Sequence, residues 1–365
     1  MVIIIMGKQF DASHYVPILR WKEAERGALS QLDHAVSASL TPLVELVPEN
    51  FLKADKSVMN TSVVTNKIAG QLFKSWGERP FFIDLYNLPK ETLSQDSSNT
   101  LTMLGEYANI LKLSLIPVIG INRDIKYKIA VRTVISMFGQ GACLRLTLAD
   151  IEQAGLEKSI SEVISTLGVS PKDTDLLIDY QIIDQSAPKF KLISGEIPYL
   201  TEWRNFIIAS GAFPEDLSKL QKNQKHVLQR SDWITWKNQT TREVSLRRIP
   251  TYSDYTIQHA VYRRHAGRLR YSASIRYTAE DSWIIMRGED VFNRAGPGFK
   301  QYPDWAILLC DLPEYCGEEY CVGDKYMKDM SQQTEKTGDA SEWLRAGINH
   351  HMTFVVRQLA TLRGA

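Results

Sequence analysis

The sequence predicts an α/β fold: a (β/α)8 TIM-like barrel with an irregular eighth unit and C-terminal helical additions. Three observations carry that expectation. Strand-length apolar runs alternate with longer segments of helical periodicity, the rhythm of parallel strands joined by crossover helices. Seven such units nearly complete the ~250 residues typical of an eight-fold barrel. Within several runs the residues of one face change from apolar to charged toward the C-terminal end, as a barrel filled below and open above requires.

The elements follow in order. Val16–Trp21 reads as the first strand, and Glu23–Ser39 as the helix after it. Pro42–Val47 and Pro80–Tyr86 are the next two strands, with the helical segment Ala54–Trp76 between them. Leu115–Ile121 is the fourth strand. Its helix, Asp124–Phe138, carries Ile125, Ile129, Val131, Val134, Ile135 and Phe138 at three- and four-residue steps and stops at Gly139 and Gly141. Ala142–Leu148, Asp175–Tyr180 and Asn205–Ser210 complete seven strands, with Asp150–Leu167 as a helix that ends at Gly168 and Pro171. A longer excursion follows, with helix-like Glu215–Trp236 and strand-like Glu243–Ile249. The eighth strand is expected at Ser272–Thr278 or Ser282–Arg287. Gly296, Pro297 and Gly298 mark a loop, and Ser341–Leu362 a closing helix. Residues 1–290 would then be the barrel and 291–365 a helical region packed on it. A doubly wound sheet would carry a glycine-rich phosphate turn after its first strand; here Trp21-Lys22-Glu23-Ala24-Glu25 stands instead.

Composition narrows the class. In 365 residues, 43 Lys+Arg oppose 42 Asp+Glu for a net charge of +1, which argues against broad electrostatic binding to nucleic acid. Hydrophobic residues at 44% exclude global disorder, and 4 cysteines exclude a disulfide-stapled scaffold. The apolar start Met1–Met6 is too short for a signal segment, and no run approaches the ~18–20 apolar residues of a spanning helix. A cytoplasmic protein that does not enter a membrane is the expectation. Cys310, Cys316 and Cys321, with His350 and His351 downstream, match no common zinc spacing, so they read as incidental thiols and no metal site is expected.

Alternation places Ile18, Arg20 and Lys22 inward on the first strand, then Leu43, Glu45 and Val47, Phe82, Asp84 and Tyr86, Val118, Gly120 and Asn122, Cys143, Arg145 and Thr147, and Leu177, Asp179 and Gln181 on the strands that follow. One mouth would therefore hold Arg20, Lys22, Glu45, Asp84, Arg145 and Asp179, with Asn122 and Gln181 beside them. Charges so close must pair or face water. One reading is a pocket for a small charged or phosphate-bearing ligand, gripped by arginine forks, with Glu45, Asp84 and Asp179 as acid/base groups or holders of a divalent cation. The other is an internally neutralised layer of ion pairs. Asp254 and His259 add a further rim pair, and Arg276 would be the inward charge of the eighth strand. Arg263, Arg264, His265, Arg268 and Arg270 form a basic stretch suited to a nucleic-acid backbone or to solvent. No P-loop, HExxH or GxSxG stands in a usable context.

Several motifs carry a resemblance. They are Tyr15–Leu29 with Arg20, Lys22, Glu25 and Ala28; Pro42–Leu46 with Glu45; Asp254-Tyr255; Gly323, Asp324 and Tyr326; and Trp343, Gly347, His350 and His351. The chain resembles the Beta protein family of phages, satellite phages, prophages and bacterial genomic islands, nearly end to end. Tyr252, Ser253 and Thr256 stand where that family suggests more glycine. The resemblance implies a component of an anti-phage defence cassette of the Gop–Beta–CII type, with co-encoded defence proteins as partners, and brings no agreed activity or cofactor. Arg20, Lys22, Glu45, Asp254, Trp343, His350 and His351 are candidates whose role it leaves open. Trp343, Gly347 and His350 or His351 share one helical face, which would pack on the barrel with one of the two histidines reaching toward the mouth or a neighbouring loop. Three functions remain in view. They are a sensor or regulatory subunit with a small charged ligand, a metal-dependent phosphodiesterase or other hydrolase, and a nucleic-acid binder.

Overall fold

The computed structural model describes residues 7–52, 57–88, 97–183, 189–242, 246–263, 271–333 and 336–364. The expected apolar start Met1–Met6, most of the basic stretch and part of the expected strand Glu243–Ile249 lie outside them; Leu246 to Ile249 form no strand. No helix among the described residues is long and apolar enough to cross a membrane.

The strands are β1 Tyr15–Arg20, β2 Leu43–Glu45, β3 Phe81–Asp84, β4 Leu115–Ile119, β5 Ala142–Thr147, β6 Thr174–Ile182, β7 Phe206–Gly211, β8 Gln224–Gln229, β9 Thr251–Asp254, β10 Ser272–Thr278 and β11 Ser282–Asp290. The helices are α1 Glu23–Ser30, α2 His34–Ala38, α3 Thr61–Trp76, α4 Ser97–Ile110, α5 Ile125–Phe138, α6 Leu148–Ile151, α7 Leu156–Leu167, α8 Phe190–Glu196, α9 Ser231–Thr241, α10 Gln301–Cys310, α11 Val322–Ser331 and α12 Ala340–Arg363. Strands β1 to β7 and β9 close a parallel eight-stranded barrel, and β8, β11 and β10 form a separate antiparallel sheet. The fold is the expected TIM-like barrel.

The eighth strand is not where the sequence reading put it. β9 closes the ring, pairing with β7 on one side and β1 on the other. β10 and β11 pair with each other antiparallel, with Ala279 N–H donating to Ser282 O across a tight turn. Strands joined by such a turn cannot both run parallel to a barrel, which needs a crossover of a dozen or more residues. The expected helix Glu215–Trp236 divides likewise: its middle is β8 on the edge of that sheet, and only its end enters α9. The expected helix Glu23–Ser39 is broken into α1 and α2, because Asp33 accepts from Val36 N–H and starts a new helix. Asp150–Leu167 breaks at Gly155, whose φ of 82° suits glycine.

Alternation holds inside the barrel. Val16, Ile18, Leu43, Phe82, Val118, Cys143 and Leu177 form one apolar plug in its lower part. The outward faces pack with the helices in a larger core. The closing helix α12 lies against α1 and β10. Two close backbone approaches fix it. A Cβ on Gly347 would stand 2.7 Å from Arg276 O, and one on Gly323 would stand 2.2 Å from Ala346 O, so the α12–β10 and α11–α12 contacts admit no side chain at either position.

Candidate functional site

Above the apolar plug the inward residues become ionic. Arg145, on β5, uses all five guanidinium N–H groups. Nη1 donates to Glu45 Oε1 at 2.8 Å and Asp84 Oδ2 at 2.7 Å. Nε and Nη2 donate to Asp179 Oδ2 at 3.1 and 2.7 Å, and Nη2 also donates to Tyr255 Oη at 2.9 Å. The Tyr255 hydroxyl in turn donates to Asp179 Oδ2 at 2.7 Å. Glu45, Asp84, Asp179 and Arg145 are all buried. Burial works against the Arg145 charge, but Tyr255 and the three carboxylates outweigh it and hold the guanidinium protonated. Burial, with the Asp84 charge beside it, pushes the Glu45 carboxyl up despite Arg145. Burial and Asp179 push the Tyr255 phenol well up.

The remaining carboxylate oxygens are also engaged. Asp84 Oδ1 accepts from Tyr86 N–H, and Asp179 Oδ1 from Gln181 N–H, each at 2.8 Å. Glu45 Oε2 accepts from Asn87 Nδ2 at 2.9 Å. All six oxygens of the three acids therefore have partners, and the group is a built layer. Asp84 at the end of β3 and Asp179 at the register shift of β6 use the same local device, a side chain that accepts from the backbone two residues on. Gln181 follows with φ of 56°.

A cavity of about 380 Å³ opens above this layer, lined by Asp84, Asp179, Arg145, Asn122, Asp150 and Gln181, with Tyr86 and Arg123 on its wall. Asn122 Nδ2 donates to Asp150 Oδ1 at 2.8 Å, and Asp150 Oδ2 accepts from Thr147 N–H to cap α6. Arg123 Nη2 is 3.4 Å from Asp84 Oδ1, with 23% of its side chain exposed, so it is the guanidinium of the mouth that still faces solvent. The cavity wall thus sets three carboxylates, those of Asp84, Asp150 and Asp179, against the two guanidiniums of Arg123 and Arg145, with Glu45 buried beneath. All five N–H groups of Arg145, the residue expected to grip an anion, are already spent on these neighbours.

The structure brings Glu45, Asp84, Arg145, Asp179, Asn122 and Gln181 together and parts the other candidates from them. Arg20 turns to the loop after β9, donating to His259 O at 2.5 Å and Ala260 O at 3.1 Å. Lys22 stands on the surface, 3.8 Å from Glu49. Asp254 faces outward, because its neighbours Ser253, on β9, and Tyr255, just after it, are the ones that point inward. It accepts from Tyr15 Oη at 2.5 Å, Tyr252 Oη at 3.0 Å and His351 Nε2 at 3.0 Å between barrel and α12. Burial opposes its charge, but His351 and these donors hold the Asp254 carboxyl low. Nearby Asp232, buried and facing the Asp254 charge, is pushed up to about 7. Arg276 lies on β10, outside the barrel, because β10 is not the eighth strand. His259 Nδ1 faces Phe213 O at 2.9 Å and makes no pair with Asp254.

His350 also misses the mouth. It is fully buried, with Nδ1 2.7 Å from Asp324 Oδ2 and Nε2 2.8 Å from Thr278 O. Asp324 collects three donors, His350, Tyr277 Oη at 2.8 Å and Cys321 Sγ at 2.9 Å. They hold its carboxyl low although burial opposes its charge. Cys321, Asp324 and His350 are the described residues whose donor atoms lie close enough to share one metal ion, within 4.8 Å of one another. Those atoms already satisfy one another, and Cys321 also caps α11. His351 holds Thr278 Oγ1 at 2.8 Å through Nδ1.

Sequence reasoning passed over Tyr255, Asn87, Arg123 and Asp150. Tyr255 was within reach: alternation from Ser253 turns it inward. The other three stand on loops and caps, where period-two alternation carries no information. Of the basic stretch, Arg263 is described and pairs with Glu215 at 2.8 Å.

A family model described as Beta protein matches residues 15–357. No curated protein matches the chain.

Proposed function

The chain belongs to the Beta protein family, and from that premise we propose a sensor or regulatory component of a phage- or prophage-encoded anti-phage defence system. It works with co-encoded proteins and recognises a small ligand at the barrel mouth. The observation that carries this reading is the saturated layer under the cavity. Arg145 spends all five donors on Glu45, Asp84, Asp179 and Tyr255. The floor is therefore rigid and pre-organised, and the wall's balance of three carboxylates to two guanidiniums suits a polar molecule with a positive group or several hydroxyl donors. The same saturation speaks against general acid/base or metal chemistry by Glu45, Asp84 and Asp179. Each would first have to give up a charge-assisted hydrogen bond to Arg145.

The test is a plaque assay in cells carrying the chain with its co-encoded partners. Arg123→Ala and Gln181→Ala alter the wall of the cavity and leave all five hydrogen bonds of Arg145 in place, Arg123→Ala removing from that layer only the 3.4 Å contact with Asp84 Oδ1. Both variants should keep the parent melting temperature and lose protection by about tenfold or more. Protection that survives both substitutions overturns the reading. Turnover of a phosphodiester by the purified protein, lost in Asp84→Asn, would replace it with the hydrolase.

A further inference from the structure

A second cavity lies outside the barrel. On β10, Ala273, Ile275 and Tyr277 pack into the small core with α10, α11 and α12, so Ser272, Ser274 and Arg276 occupy the opposite face. Arg287 of β11 stands directly across from Ser274 and shares that face. Lower down, Trp283 and Ile285 of the same face join the main core. Higher up, the face meets a cavity of about 400 Å³, walled by Asp216, Ser218, Tyr271, Tyr302 and Trp343.

The two arginines here are not neutralised. Among the described residues, neither has a carboxylate within ion-pair distance. Arg276 donates to Ile257 O at 2.8 Å and lies over the Phe213 ring at 4.9 Å. Burial lowers it to about 10. Arg287 is 7% exposed, and its buried Nε has no hydrogen-bond partner among the described residues. Of the two acids at the rim, Glu215 is taken by Arg263 at 2.8 Å. Asp216 feels Arg287 only through space and accepts from Ser218 N–H at 2.7 Å. A buried guanidinium without a counter-charge is costly. The buried Arg287 and the half-buried Arg276, beside serine hydroxyls, are what an oxyanion matches, by charge and by planar fork.

We propose that this cavity binds a small oxyanion-bearing molecule, a phosphate or a carboxylate, between the guanidiniums of Arg276 and Arg287. It is independent of the barrel mouth, whose ligand has the opposite charge preference. Calorimetric titration of the full chain with inorganic pyrophosphate and, separately, with succinate tests it. At least one should bind with one-to-one stoichiometry at concentrations up to about 10 mM, and the choice between them identifies phosphate or carboxylate. Arg276→Gln and Arg287→Gln should each weaken that binding about tenfold or more. Arg123→Ala, in the barrel mouth, should leave it unchanged. If Arg276→Gln lowers the melting temperature, Arg287→Gln alone decides. Saturation by neither probe, or binding indifferent to Arg287→Gln, overturns the proposal.

Discussion

The cavity at the barrel mouth and the cavity beside the antiparallel sheet are close in size, about 380 and 400 Å³, yet they use arginine in opposite ways. At the mouth Arg145 is a keystone: three acids surround it, and its charge serves the protein itself. Beside the sheet, Arg276 and Arg287 have no acid within ion-pair distance among the described residues, and their charge is left for something else. Residue type says nothing of this difference. What separates a structural arginine from a recognising one is the count of N–H groups already spent.

Three experiments sharpen or break the contrast. The largest effect is expected for Arg145→Met, which leaves Glu45, Asp84 and Asp179 buried without their cation. Denaturant unfolding should show a loss of ~3–5 kcal/mol. A loss under ~1 kcal/mol would mean that water reaches the layer and the carboxylates do not depend on Arg145.

Acid comes next, since arginines do not titrate below neutrality and the response must come from elsewhere. Burial pushes His14 down to about 3, where Nε2 meets Thr41 Oγ1 at 2.9 Å. Burial also lowers His351. A histidine whose folded value is depressed binds its proton more readily when unfolded. Stability is therefore full above ~6.5 and falls as pH drops below it, by up to ~1.4 kcal/mol per pH unit for each histidine. For His14 the loss continues to about pH 3, its folded value. Between pH 7 and pH 5 Asp232, raised to about 7, contributes a slope of opposite sign, so the test is the difference between the parent and His14→Gln unfolding curves, which should show the parent losing more stability than the variant as pH falls. An unchanged slope in that variant would show His14 reached by solvent.

The smallest effect is expected for Arg287→Met. Removing an unpaired cation from a partly apolar wall should leave stability within ~0.5 kcal/mol or raise it. A loss of several kcal/mol would assign Arg287 a structural partner and erase the contrast with Arg145.

The inward set from Ile18 to Asp179 was legible because barrel strands are buried on both faces, and a charge at an inward position near a strand end has few places to go. The eighth strand was not. Thr251–Asp254 is four residues with one apolar side chain, while the longer and more apolar β10 and β11 look better as strands. Missing it turned Asp254 the wrong way and placed Arg276 in a lumen that it never enters. His350 was misassigned for another reason. Its helix face was read well, but its partner Asp324 lies 26 positions earlier on α11, a pairing visible only after α11 and α12 are packed.

The late arrival of β9 has a consequence for how the chain reaches its native state. Until residue 254 is available, β1 and β7 present two bare edges, and the ring is a seven-stranded curved sheet able to pair with other chains. Closure then draws on both termini at once. Tyr15, from the first strand, and His351, from the last helix, meet on the single carboxylate of Asp254. A nascent chain stalled before α12 lacks that clasp, and its seam stays open to proteases and to neighbouring copies until α12 is made.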